Sequence, residues 1–231
     1  MMMTQMPVDL DSRVDFDVSG GVAVLSLRRP EKRNAVSREM WETIERHLTL
    51  AADRDDVRVL VLQGSGGSFS AGADLSGIKS TQPGVAKALA EAAARAIRAV
   101  ASFPVPSVAR IEGACIGGGC SLALACDLRF TTPDSIFSIP AVRHGLAYDE
   151  DSLARLAELI GPSRAARMVY TAERYDGRHA AQLGLVDECG DDLDSAVGLF
   201  VAAVLEGDPA TMRATRRLLR QGALATARGT R

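Results

Sequence analysis

The chain has 231 residues, a formal net charge of -2, 47% hydrophobic and 24% charged residues. Such a composition suits one globular α/β domain with a small helical appendage and excludes a disordered chain. Lysines and arginines are scattered, which leaves no electrostatic footprint for nucleic acid. Three of the four cysteines (Cys115, Cys120, Cys126) lie in an apolar run, where Cys acts as a small buried hydrophobe, and Cys189 stands apart. His47, His144 and His179 are too dispersed for a metal site, so none is expected. The opening MMMTQMPVDLDSR has no basic region followed by an apolar stretch, and no window approaches ~18 uninterrupted apolar residues. The expectation is a cytoplasmic protein with no membrane span.

In chain order, Gly21 to Leu27 reads as a strand, and Asp15 to Val18 pairs with it as a hairpin across Gly20-Gly21. Ser37 is a candidate N-cap for a helix with Met40, Ile44, Leu48 and Ala51 on one face. Val57 to Leu62 is an apolar run broken only by Arg58, as in a buried parallel strand. A long Gly/Ser loop follows, from Gly64 to Asp74, of a length that is uncommon without a task. An Ala-rich helix from about Val85 to Ala101 precedes Pro104 and Pro106, and Ser107 to Ile111 is the next strand. Then come Gly113 and Gly117-Gly118-Gly119, a short apolar helix (Cys120 to Cys126), and strands at Asp127–Thr131 and Ile136–Ile139. Everything after Asp149 reads as helix: Asp151–Ile160, Ser163–Tyr170, Gly177–Leu183, Ser195–Leu205 and Pro209–Leu224. Repeated strand–helix–strand units followed by helices predict a βαβ core (1–190) and a C-terminal helical region (191–231). The arginines of the last helix (Arg213, Arg216, Arg217, Arg220) read as a solvated face.

Two loops expose backbone N–H groups. Gly72 between two alanines lets the chain turn so that the Ala73 N–H points outward, and Gly117-Gly118-Gly119 opens a helix whose first turn has unpaired donors. Two such donors converging on one point form an oxyanion hole, each donor typically worth ~3 kcal/mol. A triple glycine before a helix also serves tight helix–strand packing, and a Gly/Ser loop can be no more than a loose connection. The glycines fit neither a Walker loop nor G-x-G-x-x-G, and no G-x-S-x-G elbow is present.

Four stretches, in order and at family spacing, resemble the crotonase superfamily, which includes the enoyl-CoA hydratases and isomerases. They are Arg29-Pro30-Glu31-Lys32-Arg33-Asn34-Ala35; Phe69-Ser70-Ala71-Gly72-Ala73-Asp74-Leu75; Gly113 to Cys120 with Ala125-Cys126-Asp127-Leu128-Arg129; and Gly184-Leu185-Val186-Asp187. The resemblance implies a spiral of βαβ units with a helical C-terminal part, and homotrimers or dimers of trimers. It implies an acyl-CoA thioester as partner, with coenzyme A part of the substrate and no separate cofactor. Arg33 and Ala35 would lie at the adenine and phosphates, Ala73 and Gly118 would be the oxyanion donors, and Ala71, Asp74, Leu75, Gly117, Pro140 and Leu146 would contact substrate. Asp127 would be a structural ion-pair or capping residue.

The chain also departs from the pattern. Where the family's hydratases carry two glutamates, it has Ser121 and Ala141. Acid–base groups contribute ~100- to 10,000-fold each, so hydration should be poor. Asp149 remains as a candidate base, at a place resembling the aspartate of dienoyl-CoA isomerases, and is equally well placed to cap the helix that follows. The C-terminus is shorter than the family norm by roughly one or two helices on the same resemblance. Two readings result: a double-bond isomerase or weak hydratase using Asp149, and a non-catalytic acyl-CoA carrier. A hydrolase built on Ser121 lacks an identifiable base.

Overall fold

The computed structural model describes residues 10–76 and 83–228. The N-terminal stretch read against a signal peptide lies, through residue 9, outside them. A hairpin opens the fold, β1 (Val14–Ser19) and β2 (Val22–Leu27), and its turn glycines adopt φ +57° and +87°. Next come α1 (Arg38–Ala51), β3 (Val59–Gly64), α2 (Pro83–Ser102), β4 (Ser107–Ile111) and β5 (Ala114–Ile116). The middle of the chain forms α3 (Gly118–Ala125), β6 (Leu128–Thr131), β7 (Ile136–Ser138), α4 (Glu150–Ile160) and α5 (Pro162–Thr171). It closes with β8 (Tyr175–Asp176), α6 (Gly177–Leu183), β9 (Glu188–Cys189), α7 (Leu193–Glu206) and α8 (Pro209–Arg228).

The main sheet has the order β1-β2-β3-β4-β6-β9, parallel except for the β1–β2 hairpin. A second, three-stranded sheet (β5-β7-β8) stands beside it. The α/β class expected from the sequence is the one observed. Its physical basis is visible in β3. Successive side chains of a strand face opposite sides, so Leu60 and Leu62 enter the main core while Val61 joins Val108, Phe130, Leu193 and Val197 on the other face. Both faces are covered, by α1 to α3 on one side and α7 on the other, and the run is therefore continuously apolar rather than alternating. Helix α1 starts where Ser37 accepts the Met40 N–H, and its buried face (Met40, Trp41, Ile44, Leu48) packs in one core with Ala92, Ala96 and Val100 of α2.

Three of the four C-terminal arginines, Arg213, Arg216 and Arg220, do not form a solvated face. Arg216 is 7% exposed; its guanidinium reaches Asp127 at 2.7 Å and the carbonyls of Phe103 and Ala101. Arg220 donates to Asp127 at 3.0 Å, and Arg213 donates to the carbonyls of Arg54 and Val57. Arg217 is exposed. Arg213, Arg216 and Arg220 bind α8 to the core because the loop ends at Asp127 and Phe103 present acceptors to it. The sequence pattern shows the charge on α8 but not those acceptors.

Cys115, Cys120 and Cys126 are free and buried, as small core residues. No helix of the described residues is long and apolar enough to cross a membrane.

Candidate functional site

The site begins at the turn after β2. Asn34 is fully buried at φ +54°, and its side chain acts as a hub. Oδ1 accepts the Arg29 N–H at 2.7 Å, and Nδ2 donates to the carbonyls of Ser65 and Ser68 at 2.9 and 2.6 Å. Ser70 is also fully buried: its hydroxyl donates to the Asn34 carbonyl at 2.8 Å and accepts the Gly72 N–H at 3.1 Å. The Ala71 N–H donates to the Arg33 carbonyl at 2.8 Å. The first two motifs are thus one hydrogen-bonded unit, and both buried polar residues are satisfied in making it.

That unit sets the direction of Ala73. Val36 forms a parallel bridge with Ala73, its N–H donating to the Gly72 carbonyl (2.8 Å) and its carbonyl accepting the Asp74 N–H (2.9 Å). In such a bridge the central residue's own N–H faces away, and the Ala73 N–H has no acceptor among the described residues. Asp74 is tied to Arg29 at 2.6 Å and to the Ser76 N–H at 2.9 Å. Burial alone raises its carboxyl, but the Ser76 hydrogen bonds and the Arg29 guanidinium outweigh it and hold Asp74 below the usual carboxylate range.

The second loop crosses the first. Ser70 pairs with β5, its N–H donating to the Ala114 carbonyl (2.7 Å) and its carbonyl accepting the Ile116 N–H (2.9 Å). At the crossing, Gly72 sits at φ +88°, and a Cβ there would fall 2.5 Å from the Ile116 oxygen and 3.0 Å from the Gly118 nitrogen. Only glycine allows this approach. Gly117 takes φ +53°, ψ −115°, and Gly118 begins α3 with its N–H unpaired among the described residues. A Cβ on Gly118 would lie 3.4 Å from the Ala73 nitrogen and 3.2 Å from Cζ2 of Trp41, the buried indole beneath. The Trp41 Nε1–H itself has no partner among the described residues. Two unpaired backbone donors therefore lie side by side.

A third wall comes from the segment before α4. Tyr148 reaches inward: the Ser121 hydroxyl donates to its Oη at 2.8 Å, and its hydroxyl donates to the Gly117 carbonyl at 3.1 Å. Burial pushes its phenol well above the ordinary value, so it stays protonated. Asp149, one residue on, is the N-cap of α4, with Oδ2 accepting the Ser152 N–H at 2.8 Å.

Of the residues singled out in the sequence, Arg33, Ala35, Ala71, Ala73, Asp74, Leu75, Gly117 and Gly118 come together in the crossed loops. Arg33 is exposed at φ +48°, the Ala35 carbonyl accepts from Arg29 at 3.1 Å, and Leu75 packs half-buried on the core. Pro140 precedes the short turn Ala141–His144, and Leu146 is 43% exposed beyond it. Sequence reasoning did not single out Tyr148 or Trp41. The aromatic next to Asp149 and the lone tryptophan were the available signals. Among the described residues no three His, Cys, Asp or Glu side chains group as a metal site. A void of ≈ 10 Å³ between Cys115, Phe137, Leu156 and Met168 is a packing gap in the core, away from the paired donors.

The model of the enoyl-CoA hydratase/isomerase family matches residues 17–224. The chain is 35% identical over 202 residues to the Mycobacterium leprae (strain TN) protein named Probable enoyl-CoA hydratase echA6, covering 86% of this chain and 79% of that one. Among solved structures it is similar to Pseudomonas aeruginosa DspI (TM-score 0.89, 29% identity, 97% of this chain and 86% of that one). It also resembles a Thermobifida fusca YX protein solved in complex with CoA (TM-score 0.81, 28% identity, 94% of this chain and 91% of that one).

Proposed function

Because this chain belongs to the enoyl-CoA hydratase/isomerase family, we propose that it binds an acyl-CoA thioester and clamps its carbonyl oxygen between the N–H groups of Ala73 and Gly118. The observation that carries this reading is the loop crossing, where two donors without acceptors among the described residues lie next to one another at the helix start. Each is worth ~3 kcal/mol to an oxygen that gains negative charge. Arg33 and Ala35 then lie on the adenine and phosphate side. Ala71, Asp74, Leu75, Gly117, Pro140 and Leu146 line the path of the substrate. Coenzyme A arrives with the substrate, and no separate cofactor is required.

The geometry supports holding and polarising the thioester more than hydrating it. Hydration needs carboxyl groups to activate water and to protonate the α-carbon. Residues 121 and 141 are Ser and Ala, the Ser121 hydroxyl is engaged with Tyr148, and the Asp149 carboxylate is engaged as a helix cap. A second reading, proton transfer between carbons of the enolate, rests on Asp149. Its cap engages Oδ2, and it adjoins Tyr148, whose hydroxyl reaches the Gly117 peptide.

Calorimetry with several acyl-CoAs, joined to chromatographic analysis of the same mixtures, separates these readings. Tight binding with ligand unchanged after hours supports the holding role. Turnover of an enoyl- or dienoyl-CoA that vanishes in Asp149→Asn, which keeps a capping acceptor, supports the isomerase. No binding of any acyl-CoA overturns both. We also propose a homotrimer or a dimer of trimers; exposed Leu199 on α7 and Leu218 and Leu219 on α8 are apolar surface suited to such contacts. A monomer mass in light scattering overturns this.

A further inference from the structure

We infer that Tyr148 is a positioning residue: through its hydrogen bond to the Gly117 carbonyl it orients and polarises the Gly117–Gly118 peptide, whose N–H is the second donor to the thioester. This rests on the thioester reading given above and specifies how that site is held.

A trans peptide is planar, so its C=O and N–H point in opposite directions, and pinning one fixes the other. This peptide needs pinning. Gly117 lies at φ +53°, ψ −115°, where backbone preference does not favour one orientation as it does in a helix or strand. Two donors hold its carbonyl. One is the Ser121 N–H at 3.2 Å, the first bond of α3. The other is the Tyr148 hydroxyl at 3.1 Å, brought from 31 residues further along the chain. The Tyr148 hydroxyl in turn accepts from the Ser121 hydroxyl at 2.8 Å.

The result is a directed series: Ser121 hydroxyl, Tyr148 hydroxyl, Gly117 carbonyl, Gly118 N–H. Hydrogen bonds in series polarise one another by about 10–30% per bond. Charge drawn toward the Gly117 oxygen leaves the Gly118 N–H a better donor, without any proton being transferred. Burial supports the arrangement, since Ser121 is 2% exposed and the phenol stays protonated as a donor. The relay strengthens the grip on the carbonyl and supplies no base.

The test is difference infrared spectroscopy of bound butanoyl-CoA labelled with carbon-13 at the thioester carbonyl, together with calorimetry of butanoyl-CoA and of free CoA. The wild type is expected to lower the carbonyl frequency. Tyr148→Phe keeps the ring and is expected to give a clearly smaller downshift, to weaken butanoyl-CoA binding by about tenfold at most, and to leave CoA binding unchanged. A downshift in Tyr148→Phe equal to that of the wild type overturns the inference and leaves the thioester reading standing. No downshift in the wild type overturns both. If Tyr148→Phe does not fold, Ser121→Ala carries the same test, since it removes the donor to Oη and leaves the ring in place. A reduced downshift supports the relay, and an unchanged one overturns it.

Discussion

Gly72 shows how much a single missing Cβ decides. Its positive φ costs an L residue about 1–2 kcal/mol, and the built Cβ would lie 2.5 Å from a carbonyl oxygen that is itself part of the crossing. Gly72→Ala is therefore expected to cost more than about 2 kcal/mol in urea unfolding, and to lose acyl-CoA binding as the Ala73 and Gly118 nitrogens separate. A variant that keeps full affinity would show that the two donors do not act on one ligand atom. At Asp149 the stability effect separates from the chemical one. Asp149→Ala loses a cap worth about 1 kcal/mol, whereas Asp149→Asn retains an acceptor and is expected to cost a few tenths. Equal losses in the two variants would mean that the charge, not the cap, stabilises α4. The exposed N–H groups of Ala73 and Gly118 were legible in the sequence because glycine placement directly reports backbone need. Tyr148 was not, because its role depends on a partner 31 residues away that periodicity does not reveal.

Elements are held in place here by buried ion pairs between motifs. Arg129 on β6 is 1% exposed; it binds Asp187 at 2.6 Å and the carbonyls of Leu185, Cys126 and Asp127, which fastens the turn after α6 to the main sheet. Asp127 does the same for α8 through Arg216 and Arg220, while also accepting the Ser107 N–H at 2.8 Å. Removing one partner of such a pair leaves buried charge behind, so Asp127→Asn is expected to destabilise by about 3 kcal/mol. Hydrogen exchange should show the loss first along α8, and uniform exchange across the fold would contradict this docking. The long helices and β2 to β4 were plain in the sequence, since their apolar spacing persists over many residues. The strands β5, β8 and β9 were not, having three, two and two residues, and only pairing with neighbours identifies them. The C-terminal arginines were misread for a related reason. A row of charges looks the same whether it faces water or buried acceptors.

The pH response of the whole molecule follows from the same groups. Burial lowers the pKa of His47, which stacks on Phe16 at 5.3 Å, so the unfolded chain takes up a proton near pH ~6.5 that the folded one resists. Stability should therefore decline gently as pH falls through that range. For Asp127, burial alone would raise the carboxyl, but the Arg216 and Arg220 guanidiniums outweigh it and hold the pKa below the usual value. Asp74 is depressed in the same direction. A depressed carboxyl contributes stability that is complete above its unfolded pKa, about 4, and is lost as pH falls through the lower folded value. Urea midpoints should thus fall in two stages, a shallow one near pH ~6.5 and a steep one below pH ~4. The docking of α8 makes the second stage separable. Asp127→Asn lacks the titrating group, so its deficit relative to the wild type should be largest at neutral pH and shrink as the native carboxyl is protonated. If the gap between the two curves stays constant down to pH ~2, the contribution of Asp127 is not ionic, and the packing of α8 alone must account for it.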